Sequence, residues 1–164
     1  MIFYKKKSAL KRGLFAKASL LGKQREELYM GNPAKRASLC FAAGCLGALA
    51  NSWSVWYFGS KGIPSLFGVT IAPSFSLAWL YPRIVWGGLW GLLFLLPVMK
   101  NRFLSRGLLL SLGPTLVQLF IVFPMKAHKG VMGLTLGTLT PAFVFLYNVI
   151  WGLVAAIWLR WTDK

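Results

Sequence analysis

Residues 37–58, ASLCFAAGCLGALANSWSVWYF, run for 22 positions without a charge. A helix of that length crosses a hydrocarbon core of about 30 Å. Comparable stretches follow at 79–98, 107–124 and 141–159, and Arg83 is the one charge inside any of them. With 57% hydrophobic residues and 13% charged ones, the 164-residue chain is too apolar for a water-soluble domain. The expected fold is all-α: a membrane bundle of four transmembrane helices preceded by a basic amphipathic interfacial helix.

Charge sets the expected threading. The 19 Lys and Arg face three acids, Glu26, Glu27 and Asp163, all outside the apolar stretches. Four crossings with a cytoplasmic N-terminus collect fifteen basic residues on the cytoplasmic side and leave Lys61, Lys126 and Lys129 on the other, with Arg83 near that far edge. A fifth crossing at 63–80 would carry the Lys100, Arg102 and Arg106 cluster outside, so the positive-inside rule prefers four. Residues 62–78, broken by Pro64, Gly68 and Pro73, then read as an interfacial or re-entrant segment. The expected setting is a bacterial inner membrane or an equivalent internal membrane.

Residues 1–36 form a basic arm carrying ten Lys and Arg, among them Lys5, Lys6, Lys7, Lys11, Arg12 and Lys17. Leu10, Leu14, Leu21 and Leu28 fall near one helical stripe, with Ser8 as a candidate N-cap and Gly31 with Pro33 as a stop. A helix of this kind lies in the headgroup region and draws on anionic lipid. A flexible tail that only sets orientation is the plainer alternative. No folded nucleic-acid module accompanies the charge, so nucleic acid is not an expected partner.

The acids' absence from the spans removes proton relays, carboxylate metal sites and two-carboxylate hydrolysis. His128, the one histidine, lies in a polar stretch, and Cys40 and Cys45 sit about 500° apart around a helix axis. The pair reads as two thiols packed as small apolar residues. There is no phosphate-cradling loop, nucleophile elbow or paired-histidine helix. Neither catalysis nor a metal or other cofactor is expected.

Small residues repeat at four-residue spacing in Gly87/Gly91, Ala43/Gly47, Gly44/Ala48 and Gly152/Ala156. In lipid such residues let helix backbones approach, and packing within the chain is favoured over a dedicated dimer face. Gln118 and Asn148 are deep amides expected to bond to each other or to backbone. A lining for a solute pathway, joined by Asn51, Ser52, Ser54, Ser111 and Thr115, is the alternative. Tryptophans at the span ends form interfacial belts. Arg83 is read as an edge anchor whose partner is a lipid phosphate; backbone carbonyls of 62–78 or an acid on another subunit stay open.

The stretch GLLLSLGPTLVQLFIVFP, 107–124, with GLTLGTLTP at 133–141, resembles the YagU-type small bacterial inner-membrane proteins. The resemblance implies a polytopic inner-membrane protein of a family linked to acid tolerance. It carries over no functional residue, and the chain departs from it by a longer KAHKGVMGLTLGT stretch and by a basic arm that the resemblance does not explain. The leading expectation is a non-catalytic accessory subunit or assembly factor of a larger membrane complex, with lipids and membrane-protein subunits as partners. The alternative is a small oligomeric channel or transporter.

Overall fold

The computed structural model describes residues 17, 19–22, 32–99 and 102–162. Contacts divide the chain into two compact units, Met1–Arg36 and Ala37–Lys164. Most of the expected amphipathic helix, including Lys5, Lys6, Lys7, Lys11 and Arg12, lies outside the described residues. Lys17 and residues 19–22 are helical and exposed.

The described architecture is all-helical. It comprises α1 (Pro33–Ser60), a one-turn α2 (Ile63–Leu66), α3 (Leu77–Gly91), α4 (Phe103–Val117) and α5 (Thr140–Thr162). A 3-10 segment, Leu92–Leu95, prolongs α3, and a π-helix, Gln118–Lys126, prolongs α4. Three helices are long and apolar enough to cross a membrane: Pro33–Ser60, Phe103–Lys126 and Thr140–Thr162.

Each boundary has a local cause. Asn32 Oδ1 accepts from the N–H groups of Ala34 at 3.0 Å and Lys35 at 3.3 Å, and Pro33 fills the first helical position. Asn32-Pro33 thus starts the first long helix four residues earlier than the apolar run suggests, because capping and fixed φ favour that start. Ser76 caps α3 by accepting from Trp79 N–H at 3.1 Å. The expected second crossing, 79–98, is not one long helix: α3 ends at Gly91, and the 3-10 turn leads to Pro97, which cannot continue a helix. In Phe103–Lys126, Pro114 and Pro124 each remove an N–H and crowd the carbonyl one turn back. The chain widens into π geometry from Gln118, four residues after Pro114, and keeps it through Pro124 to Lys126.

The long helices pack antiparallel along seams of small residues. On α1 and α3, Gly44 lies against Gly91 and Ala48 against Gly87; a Cβ on Gly91 would come within 2.8 Å of Gly44 Cα and would also strike Cys40 O. On α4 and α5, a Cβ on Gly107 would lie 2.9 Å from the carbonyl carbon of Gly152. Between α1 and α5, Gly47 makes room for Trp151, whose indole Nε1 donates to Gly44 O at 3.0 Å. Trp151, Phe94, Leu110, Ala155 and Leu159 form the main core, and Leu119, Phe123 and Val144 form a second cluster under the π-helix.

Residues 62–78 hold no fifth long helix. After α2 the chain runs without helix through 69–76, with Val69 fully buried, and Thr70 N–H donates to Leu136 O at 2.8 Å. Two connections, the one after α1 and the one before α5, therefore clasp each other at one end of the bundle. Gly137 makes the clasp possible: at φ 136° it has the freedom only glycine has, and a Cβ there would lie 2.9 Å from Val69 Cα.

The α1/α3 seam yields a direct expectation. Gly91→Val should lower the stability of the purified protein in detergent by about 1–3 kcal/mol, the usual range for overpacking. Gly22→Val, at a site with nothing within 4 Å, should leave it unchanged. Denaturant titration followed by helical circular dichroism checks both.

Candidate functional site

The α1/α3 seam continues one turn beyond its small residues. The rung after Gly44/Gly91 and Ala48/Gly87 is Ser52/Arg83, again four residues along each helix. Close backbones on the two glycine rungs bring the Arg83 side chain against α1. Its Nε donates to Ser52 Oγ at 2.9 Å and its Nη2 to Asn51 Oδ1 at 2.7 Å. The Trp79 indole, one turn earlier on α3, lies under the guanidinium with Cζ 4.7 Å from the ring centroid. Trp56 and Trp79 both pack against Phe75.

Asn51 is itself held from the third helix. Its Nδ2 donates to Tyr147 O at 2.7 Å and to Asn148 Oδ1 at 3.3 Å, both on α5. With both donors directed at α5, the amide has one orientation, and its oxygen must face Arg83. The network therefore runs α3 to α1 to α5, from Arg83 through Asn51 to Asn148. Ser52, Asn51 and Asn148 are all buried. Asn148 Nδ2 and Tyr147 Oη are also buried, without a hydrogen-bond partner among the described residues.

Ser54, Ser111 and Thr115 bond to their own helices. Ser54 Oγ donates to Ala50 O, Ser111 Oγ to Leu108 O and Thr115 Oγ1 to Ser111 O, at 2.8, 2.7 and 2.7 Å. Hydroxyls turned back onto carbonyls in this way satisfy themselves without leaving the helix. Gln118, at the first turn of the π-helix, is half-buried, and its side chain makes no hydrogen bond among the described residues. The Gln118–Asn148 bond is therefore not present: Asn51 takes the place opposite Asn148, because the Gly47/Trp151 contact sets the α1/α5 register one turn away. Gly87 and Gly91 lie in the α1/α3 seam, away from that network.

For Arg83, the side-chain partners are an amide and a hydroxyl of its own chain, Asn51 and Ser52, which residue types suggest only as pathway lining and not as its partners. A usable signal was present. Continuing each small-residue motif by one more turn of four, from 44 and 48 to 52 and from 91 and 87 to 83, sets Ser52 opposite Arg83 once the two helices are taken as antiparallel.

Among the described residues no group of three His, Cys, Asp or Glu side chains is arranged to hold a metal ion. Comparison with known proteins finds no family model that matches the chain, no matching curated protein and no matching solved structure.

The network's order makes unequal demands on its members. Asn148→Leu removes one acceptor from Asn51, whose Nδ2 keeps Tyr147 O, and should cost under about 1 kcal/mol, the usual worth of an interhelical hydrogen bond in lipid. Asn51→Leu strips an acceptor from the half-buried Arg83 guanidinium and removes a buried amide from the network, and should cost about 2 kcal/mol or more. Equal losses in reversible unfolding from detergent micelles would contradict this ordering.

Proposed function

We propose that the chain is a four-span inner-membrane protein acting as a non-catalytic accessory subunit or assembly factor of a larger membrane complex, with a cytoplasmic N-terminus. The observation that carries the reading is how the polar side chains of the spans are used. Arg83, Asn51, Ser52 and Asn148 bond to one another across three helices, and Ser54, Ser111 and Thr115 bond back to their own backbones. The first set holds three helices in register and the second is satisfied within its own helix, which suits a scaffold. A lining for a solute path would instead present them to a shared space.

The fourth crossing is supported by length. Fifteen α residues and four 3-10 residues, Leu77–Leu95, advance about 30 Å, enough for a hydrocarbon core. The surface supports company in the membrane. Phe103–Lys126 is strongly apolar, yet only 33% of its most apolar stretch is buried, against 50% for the other two long helices. Its outward side chains, Leu104, Leu108, Leu112, Leu116 and Phe120, repeat at four-residue spacing and form a continuous stripe suited to another helix.

Purification of the native protein in mild detergent, followed by mass spectrometry of the intact assembly, should recover at least one foreign membrane subunit in stoichiometric amount. Recovery only as copies of this chain would overturn the accessory reading. The threading has its own check. A reporter active only outside the cytoplasm should be silent when fused after Asn101 and active when fused after His128.

A further inference from the structure

We propose that Arg83 is a binding site for the phosphodiester of a phospholipid headgroup, framed by Asn51, Ser52 and Trp79. The inference rests on membrane insertion of α1 and α3 and does not depend on the accessory role.

The first argument is charge. A guanidinium is always protonated in proteins. The chain's three acids lie at 26, 27 and 163, none of them in the apolar stretches. The bonds Arg83 makes go to uncharged oxygens, which satisfy donors and leave the charge unbalanced. In surroundings of low dielectric constant an unbalanced cation draws an anion far more strongly than it would in water.

The second argument is shape. A guanidinium offers two forks of parallel N–H groups, one side-on from Nε and Nη2 and one end-on from Nη1 and Nη2. Ser52 and Asn51 close the side-on fork, and the Trp79 ring covers one face. In the end-on fork, Nη1 makes no bond among the described residues and Nη2 has a second N–H besides the one given to Asn51, and the side chain is only half-buried. What is left is a rigidly held pair of donors whose spacing suits the two non-bridging oxygens of a phosphodiester. Because Asn51 is fixed by its bonds to α5, this fork is set before any anion arrives, and little ordering remains to be done on binding.

The third argument is depth. Arg83 is six residues into α3, about 9 Å along the axis from Leu77. Trp53, Trp56, Tyr57 and Trp79 gather at the same end, and Lys61 lies over the Tyr57 ring. An aromatic collar of this kind marks the headgroup level. The oxyanion present at that depth throughout the protein's life is lipid phosphate. Below Arg83, the exposed Val85, Trp86 and Leu89 of α3 offer apolar surface along which the acyl chains of the same lipid can lie.

The test uses the full chain, delipidated in neutral detergent and titrated with dioleoylphosphatidylglycerol, with retained lipid counted by native mass spectrometry. Wild type should hold one tightly retained lipid. Arg83→Gln should weaken that retention about tenfold or more, since a charge-assisted fork is lost. Arg83→Lys should fall between, because an ammonium keeps the charge but not the fork. Asn51→Asp covers the case in which Arg83→Gln fails to fold: it keeps Arg83 and places a carboxylate beside it, so it should also release the lipid. Unchanged retention in Asn51→Asp, or in a folded Arg83→Gln, would overturn the proposal. Displacement of the lipid by millimolar inorganic phosphate would assign the site to free phosphate and overturn the lipid assignment. Failure to recover a foreign subunit would sink the accessory reading and leave this outcome untouched.

Discussion

The close approach of α1 and α3 is the contact on which the rest of the bundle's interior depends. In a membrane, where lipid tails are as apolar as leucine, no water-driven force would bring these helices together. Gly44, Gly87 and Gly91 remove the side chains that would hold the backbones apart, and dispersion and backbone contact then act over the whole seam. The consequence appears one turn further on. Ser52 and Asn51 sit within hydrogen-bonding reach of a side chain on α3 only because the two preceding rungs are so thin. A bulkier residue at Gly91 would move α3 outward and leave Arg83 without its acceptors.

Arg83 in turn explains why α5 is tied to the same seam. A guanidinium needs an acceptor that presents its oxygen and does not turn its N–H groups toward the cation. An asparagine alone can flip. Asn51 is prevented from doing so because both its donors are engaged on α5, at Tyr147 O and Asn148 Oδ1. The Gly47/Trp151 contact sets the register that allows this, and the Trp151 bond to Gly44 O anchors that register near the first glycine rung. Close packing and polar satisfaction are therefore parts of one arrangement rather than separate stabilising terms.

How much of this is legible from residue types alone follows from the range of each cause. The three long apolar helices read directly, since length and hydropathy are local properties. The four-residue spacing of Gly87 and Gly91 is local too. The shortened α3 is not read so easily, because an apolar run carries no mark of where α geometry tightens to 3-10; Pro97, past the turn, is the nearest sign. The π-helix depends on two prolines ten positions apart acting together. The partners of Arg83 are the hardest case. Searching for an opposite charge or a lipid passes over Asn51 and Ser52, which are neutral and more than thirty residues away, and only the pairing register of two helices brings them to the guanidinium. The same holds for Asn148: Gln118 shares its chemistry, but Asn51 shares its register.

With 19 basic residues and three acids, the chain must accommodate cations without carboxylates, and the described residues do so in a consistent way. Arg83 uses an amide, a hydroxyl and the Trp79 ring. Arg106, at the opposite end of the bundle, donates to the carbonyls of Phe94 and Leu96 and lies over the Phe94 ring, so it closes the C-terminal end of the 3-10 turn where backbone oxygens lack partners. Arg160 stacks on Phe103 at 4.2 Å, and Lys61 on Tyr57. A ring face contributes about 0.5–1 kcal/mol where water reaches it and about 2 or more where it does not. Oxygen dipoles and ring quadrupoles can therefore position a cation, but neither cancels its charge. A bundle built this way keeps its arginines in fixed places and retains its positive field, and that field is what an anionic lipid surface or an acidic partner would meet.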